Sequence, residues 1–177
     1  MVERSLSREW KTTLCLRENF DLLLTATLKT VQNHYRDRLV TLAVYGSVAR
    51  GTAREDSDVD LLIVCDPLPP GRMKRIEEFE KVEERLEPVL CSLQNDGIST
   101  SLSVILKTPD EVKRGSPLYL DLVEDARILF DRGGFFRSYL DQLKGRLARL
   151  GARRVWRGNA WYWDLKPDFK PGDVIEL

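Results

Sequence analysis

Residues 39–65 read LVTLAVYGSVARGTAREDSDVDLLIVC, two apolar runs separated by a short polar segment. The first run is strongly apolar and of strand length, and Gly46 closes it, a residue that permits close approach of the backbone to a ligand. The second run, residues 58–65, again has the length and character of a strand. The stretch therefore predicts a strand, a turn able to hold phosphate, and a second strand.

Two carboxylates open the second predicted strand. Side chains of a strand alternate between its faces, so we expect Asp58 and Asp60 to point the same way. Two carboxylates that share a small volume raise each other's pKa unless a cation compensates. Mg²⁺ prefers hard oxygen ligands and takes one or two protein carboxylates, with water and substrate phosphates completing its shell. The pair therefore predicts a magnesium site.

The polar segment supplies groups suited to phosphate. Ser47 opens a predicted short helix, whose free backbone N–H groups can bind phosphate oxygens, and its hydroxyl adds a further donor. Arg50 and Arg54 add positive charge nearby. We therefore expect a phosphate-binding turn directly before the two carboxylates.

The spacing of these blocks resembles the signature of the DNA polymerase β-like nucleotidyltransferase superfamily. The run YGSVARGTAREDSDVDLLIV, residues 45–64, is similar to its minimal nucleotidyltransferase branch, in which a GSxARG block and an SDxDL block recur together. The resemblance covers roughly residues 39–130. It implies an α/β (α+β) palm-like fold with a mixed sheet of about four or five strands, helices packed mainly on one face and the active site on the other.

The resemblance also implies an activity: Mg²⁺-dependent transfer of a nucleoside monophosphate, most simply AMP from ATP, to an acceptor hydroxyl. Asp58 and Asp60 would be catalytic and hold one or two Mg²⁺ ions. The implied nucleotide-binding residues are Gly46, Ser47, Arg50, Arg54 and Ser57. The branch further suggests an antitoxin that adenylylates a separate helical HEPN-type toxin, and it leaves a homo-oligomer open.

The third predicted strand, Ile98–Lys107, departs from the family pattern because it contains no acid. The family usually supplies a third carboxylate there, at a position that we align with Ser101; Ser99 and Ser103 serve no better. A serine hydroxyl neither binds Mg²⁺ as a carboxylate does nor accepts a proton without a base of its own. Acids elsewhere that could replace the third carboxylate are Asp56, Asp110, Glu111 and Asp121. The gap keeps open a second hypothesis, a module that binds NTP or a partner without turnover.

The remaining elements follow from apolar periodicity and turn residues. Helices are predicted at residues 17–38, 72–94, 109–113, 116–123 and 135–150, and a fourth strand at 127–130. We expect an N-terminal helical segment, a nucleotidyltransferase core and a C-terminal extension, packed as one globular unit, at residues 1–38, 39–131 and 132–177.

The C-terminal extension carries three of the four tryptophans, in a predicted hairpin over residues 153–163. We favour an aromatic hairpin folded onto the core, where it covers a sheet edge. The alternative is a basic aromatic surface for a nucleobase or single-stranded nucleic acid, since bases stack on such side chains.

Composition excludes several classes of function. Lys plus Arg and Asp plus Glu both number 28, so no global charge attracts nucleic acid or a membrane. Three dispersed cysteines and one histidine do not provide a zinc site of ordinary spacing. Met1–Leu6 lacks the apolar core of a signal peptide, and no apolar run approaches membrane-spanning length. We therefore expect a soluble protein of the reducing cytoplasm.

Overall fold

The computed structural model describes residues 3–158, 160–170 and 174–175, with side chains from Leu16 onward. The helices are α1 Glu3–Tyr35, α2 Gly46–Arg50, α3 Arg72–Asn95, α4 Pro109–Lys113, α5 Leu118–Asp125 and α6 Phe135–Leu150. The strands are β1 Leu39–Tyr45, β2 Val59–Cys65, β3 Leu102–Lys107, β4 Arg127–Asp131, β5 Arg153–Arg157 and β6 Ala160–Asp164. Short 3₁₀ segments, Arg36–Arg38 and Arg132–Gly134, precede β1 and α6.

Four strands form a mixed sheet in the order β3-β2-β1-β4. β1 pairs antiparallel with β2 and β4, whereas β2 pairs parallel with β3. The two central strands are the apolar runs of the decisive sequence stretch, and residues 61–65 of β2 are completely buried. Strands covered on both faces are apolar almost throughout, because neither face meets water. The predicted α/β fold with a mixed sheet of about four or five strands is confirmed, with four strands in the sheet.

Helices cover both faces of this sheet, which corrects the expectation that they lie mainly on one. The two long helices, α1 and α3, pack on the face that includes Leu42, Leu61 and Ile63. On the other face, α5 and α6 pack against Leu62 and Val64. The central strands are apolar on this second face too, so burial under amphipathic helices is favourable at roughly 25 cal/mol per Å² of apolar surface.

Two predicted boundaries also differ from the structure. The third strand begins at Leu102 rather than Ile98, because the preceding residues bond to the loop before β2: the Ser99 N–H donates to the Glu55 carbonyl at 2.7 Å, and the Thr100 hydroxyl donates to the Ser57 carbonyl at 2.8 Å. The first helix begins at Glu3, well before the expected start at residue 17. The fourth strand and the predicted helices over 72–94, 109–113, 116–123 and 135–150 lie within two residues of their expected bounds.

The predicted C-terminal hairpin is present as β5 and β6. The two strands pair antiparallel, with Trp156 opposite Trp161. Trp163 of the hairpin and the following Leu165 pack against the cluster under α5 and α6. Four hydrogen bonds from Arg154, Trp161 and Trp163 tie the hairpin to α5, so the contacts that anchor it are made with a helix. Within the described ranges, no helix has the length and apolarity that a membrane crossing requires.

Candidate active site

The turn after β1 lies directly against the second carboxylate of β2. Gly46 has φ +71°, and a Cβ added there would stand 2.2 Å from Asp60 Oδ2. Such a backbone angle and such close approach are accessible to glycine alone among the ordinary residues. The register also pairs Tyr45 with Asp60 across β1 and β2. The structure therefore brings Gly46 and Asp60 together.

One helical turn, α2, holds the residues that follow Gly46. The Thr52 N–H donates to the Ser47 carbonyl at 2.9 Å, and the Gly51 N–H donates to the Val48 carbonyl at 3.2 Å. Gly51 ends the turn in the left-handed region, at φ +70°. These bonds fix the backbone that carries Ser47, which is half-buried beside the carboxylates' end of β2.

Each carboxylate has a serine partner. Asp58 is exposed, and its Oδ1 accepts hydrogen bonds from the Ser101 hydroxyl at 2.7 Å and the Ser101 N–H at 3.2 Å. Asp60 is half-buried and pairs with Ser103 in the parallel register of β2 and β3. The aligned third position, Ser101, thus lies at Asp58, and a second serine that the alignment did not favour lies at Asp60.

The environment of Asp60 opposes its charge. Burial raises the pKa of Asp60, and the negative charge of Asp58 raises it further; a hydrogen bond from Ser103 and the positive charge of Arg50 act in the opposite direction without cancelling the rise. Burial and the Asp60 charge also raise the pKa of Tyr45 to about 12, so its phenol stays neutral at physiological pH. Asp60 is therefore a carboxylate whose charge a bound cation would stabilise.

The donor set of this pair fits Mg²⁺. Asp58 and Asp60 supply hard carboxylate oxygens, with the hydroxyls of Ser101 and Ser103 beside them. Mg²⁺ commonly uses one or two carboxylates and takes its remaining ligands from water and phosphates. No cluster of three or more His, Cys, Asp or Glu side chains occurs in the part of the chain that the structure describes. A metal here would therefore rely on two carboxylates.

Three of the four acids that could replace the third carboxylate have partners elsewhere. Glu111 caps α4 and pairs with Arg75 at 2.7 Å. Asp110 is exposed and pairs with Lys113, and Asp56 lies exposed in the loop before β2. Asp121 accepts hydrogen bonds from two tryptophan indoles of the hairpin. These contacts identify Glu111 and Asp121 as structural anchors.

Arg54 and Ser57 form a turn with each other. The Arg54 N–H donates to the Ser57 hydroxyl oxygen at 2.9 Å, and the Ser57 N–H donates to the Arg54 carbonyl at 3.1 Å. The Arg54 side chain is exposed and lines a surface groove with Asp56 and Ser99. Both residues thus shape the loop that delivers Asp58 to the start of β2.

Arg50 has partners that the sequence reasoning missed. Its Nη1 donates to Asp125 Oδ2 at 3.2 Å, and its guanidinium carbon lies 5.0 Å from the ring centroid of Trp161. The sequence signal was weak: Asp121 and Asp125 are four residues apart, a spacing that places two side chains on one face of a helix, but Asp125 lies beyond the helix predicted over residues 116–123. Nothing local linked that face to the hairpin or to Arg50.

This fold and site are those of a nucleotidyltransferase. The chain belongs to the nucleotidyltransferase domain family, which matches it over residues 25–139. It is similar to MJ1305 of Methanocaldococcus jannaschii, provisionally named a protein adenylyltransferase, at 30% identity over 128 residues, which are 72% of this chain and 83% of that protein. Protein adenylyltransferase MntA of Thermococcus cleftensis is 36% identical over 73 residues, 41% of this chain and 67% of the relative.

Similarity to solved structures is more distant. The crystal structure of a toxin–antitoxin with AMP-PNP matches 71% of this chain and 94% of that chain, with a TM-score of 0.40 and 16% sequence identity. The toxin–antitoxin MntA-HepT matches 74% and 96%, with a TM-score of 0.38 and 14% identity. The family match and the relatives confirm the superfamily and the enzyme class that the GSxARG and SDxDL blocks predict.

Proposed function

We propose that this nucleotidyltransferase transfers AMP from ATP to a hydroxyl group of a partner protein, as an antitoxin-type protein adenylyltransferase of the cytoplasm. One observation carries the proposal: the Gly46 backbone lies so close to the Asp60 carboxylate that a Cβ would be 2.2 Å from Oδ2. A phosphate held at this turn shares its surroundings with that carboxylate. The names of the two relatives, both protein adenylyltransferases, support AMP as the transferred group and a protein as its acceptor.

In this proposal the turn binds the phosphates of ATP, and the carboxylates bind the metal. The backbone of Gly46 and the hydroxyl of Ser47 hold the β- and γ-phosphates, and Arg50 neutralises part of their charge. Asp58 and Asp60 hold one or two Mg²⁺ ions. Mg²⁺ bound there supplies neutralisation of the charge that develops on the leaving pyrophosphate. Arg54 and Ser57 contribute mainly through the loop that places Asp58.

The missing third carboxylate bears on the choice of acceptor. The acceptor oxygen forms a bond to the α-phosphorus while the bond to pyrophosphate breaks, and the acceptor proton must leave. Ser101 and Ser103 occupy the positions beside Asp58 and Asp60, and neither hydroxyl is a base at neutral pH. A phenol, with a pKa of about 10, releases its proton more readily than an aliphatic alcohol. A tyrosine of the partner is therefore the acceptor that suits this site best.

The partner we propose is a small helical protein of the HEPN toxin class, on the strength of the minimal nucleotidyltransferase motif. The neighbouring genes are first searched for one that encodes a small helical protein, and the test is a transfer assay with that protein, the purified full chain, ATP and Mg²⁺. Intact-mass spectrometry should show one AMP added to the partner, and peptide mapping should place it on a tyrosine. The Asp60→Asn enzyme is the matched control and should give no adduct.

Other outcomes separate the competing hypotheses. Tight Mg²⁺-dependent binding of ATP in calorimetry, without pyrophosphate release for any partner, would support a binding module instead. Salt-dependent binding of a single-stranded oligonucleotide without Mg²⁺ would support a nucleic-acid role for the aromatic hairpin. Transfer to a small molecule or an RNA end, but not to protein, would retain the enzyme and overturn its acceptor.

A further inference from the structure

The C-terminal hairpin reaches the candidate active site through one side chain, Arg50. Arg50 ends α2, the short helix that begins at Gly46, and the Gly46 backbone lies directly against the Asp60 carboxylate. The Arg50 guanidinium bonds to Asp125 at 3.2 Å and lies 5.0 Å from the ring centroid of Trp161. A residue of α5 and a residue of the hairpin therefore determine where this arginine points.

Trp161 is itself held in place. Its indole N–H donates to Asp121 Oδ1 at 2.7 Å, and the indole of Trp163 donates to the same oxygen at 2.9 Å. Both tryptophans lie on the same face of β6, because side chains alternate along a strand. An indole whose N–H is bonded and whose ring is packed has a fixed orientation. The ring that meets Arg50 is thus a rigid surface.

Asp125 is similarly constrained. Its side chain is only 9% exposed and accepts hydrogen bonds from both Arg50 and Arg154. Arg154, 13% exposed, also lies 4.6 Å from the Trp161 ring centroid. Hydrogen bonds between ionised partners in a water-poor setting are strong and directional. The carboxylate that receives Arg50 therefore has little freedom to move away.

We propose that Trp161 and Asp125 are positioning residues for nucleotide binding, which hold the Arg50 guanidinium ready for the triphosphate. The inference rests on the proposed function, in which Arg50 binds phosphate. Stacking occupies the face of a guanidinium and leaves its in-plane N–H groups available as donors. An arginine already held in the folded protein loses less rotamer freedom when nucleotide binds. The hairpin is then part of the nucleotide site.

The test is a double-mutant cycle on nucleotide affinity. Calorimetry of the full chain with Mg²⁺ and α,β-methylene-ATP, which cannot be cleaved at the bond broken in transfer, gives the Kd of wild type, Arg50→Gln, Trp161→Leu and the double variant. Each single change should raise the Kd by about two- to tenfold, the range for loss of one such contact. The double variant should bind no more weakly than Arg50→Gln alone, because Trp161 acts through Arg50.

Matched variants separate positioning from general damage. Trp161→Phe keeps an aromatic face and should retain most of the affinity that Trp161→Leu loses. Tyr162→Ala removes a neighbouring aromatic that is 47% exposed and faces the other way, and should leave the Kd unchanged. Asp125→Asn keeps the shape of the carboxylate and should reproduce the loss of affinity. If circular dichroism shows that the Trp161→Leu protein is unfolded, Asp125→Asn takes its place in the double-mutant cycle.

The outcomes separate failure of this inference from failure of the proposed transferase function on which it rests. Wild-type affinity in Trp161→Leu and Asp125→Asn, or fully additive effects with Arg50→Gln, would overturn the positioning role and leave the transferase intact. Unchanged affinity in Arg50→Gln would remove the phosphate contact itself, and the inference with it. Loss of affinity in Tyr162→Ala equal to that in Trp161→Leu would show that the hairpin acts only through stability.

Discussion

Replacement of Gly46 by alanine tests whether the phosphate turn and Asp60 form one site. At φ +71° an alanine pays a left-handed backbone penalty of roughly 1–2 kcal/mol. Its Cβ would also meet Asp60 Oδ2 at 2.2 Å, whereas ordinary contacts begin above about 3 Å. The carboxylate must therefore move by about 1 Å, a misplacement that can lower a catalytic rate by about 10²-fold.

Gly51→Ala is the matched control for this change. Gly51 has nearly the same backbone angle, φ +70°, but no atom within 4 Å of the Cβ position. Both variants should lose about 2–8 °C in Tm, from about 2–4 °C per kcal/mol for a chain of this size. Only Gly46→Ala should lose Mg²⁺-dependent pyrophosphate release in the transfer assay. Equal losses of activity in the two variants, or full activity in Gly46→Ala, would refute the close coupling of the turn to Asp60.

Two further changes address the metal and the phosphate separately. The pKa of Asp60 is raised in the folded protein, so its ionised form destabilises the metal-free fold at a pH above that pKa. This destabilisation disappears as the pH falls below the pKa that the Asp60 carboxyl has in the unfolded chain. Asp60→Asn should therefore raise the metal-free Tm by a few degrees at pH 7 and by less near pH 4, while losing the stabilisation by Mg²⁺; a lower Tm at pH 7 would contradict this. Ser47→Ala should weaken Mg²⁺–ATP binding by ~0.5–1.5 kcal/mol in calorimetry, and unchanged affinity would count against the phosphate contact.

The part of the site that sequence predicts is the part built from neighbouring residues. Gly46 and Asp60 come from one continuous stretch, and strand alternation alone places Val59 and Leu61 in the core on the face opposite Asp60. The serine-only third strand is also visible in the sequence. The residues with which this strand pairs cannot be read from the sequence, because the parallel register depends on how the chain between β2 and β3 places β3 beside β2. Ser103 opposite Asp60 therefore emerges only from the fold.

Long-range pairing explains the other differences. Arg50 and Asp125 are 75 residues apart, and no periodicity in either segment encodes their contact. The alternation over residues 98–101 is that of a strand, yet the backbone of Ser99 bonds to the loop that carries Glu55. A local pattern cannot reveal that a loop competes for the same N–H groups. The position of the helices on the second face of the sheet could not be predicted for the same reason. The apolar stripes of α5 and α6 indicate that one side of each helix is buried, but they do not indicate which surface that side packs against.

Replacement of Ser101 or Ser103 by aspartate tests whether a third carboxylate can be restored. Either change adds a charged oxygen ligand beside the pair and should tighten Mg²⁺ binding in calorimetry. It should also provide a base, which raises a slow transfer rate on the order of 10²-fold or more when the geometry is right.

The two serines should differ in the metal-free protein. Ser101 donates twice to Asp58 Oδ1, so Ser101→Asp replaces a donor at 2.7 Å with a like charge and should lower the metal-free Tm. Ser103→Asp instead faces Asp60, whose pKa is already raised, and should raise it further. The variant with the larger gain in transfer rate identifies the position that corresponds to the family's third acid. If Mg²⁺ affinity and metal-free Tm both match wild type in both variants, neither serine faces the carboxylates, and the arrangement of β2 beside β3 described above is wrong.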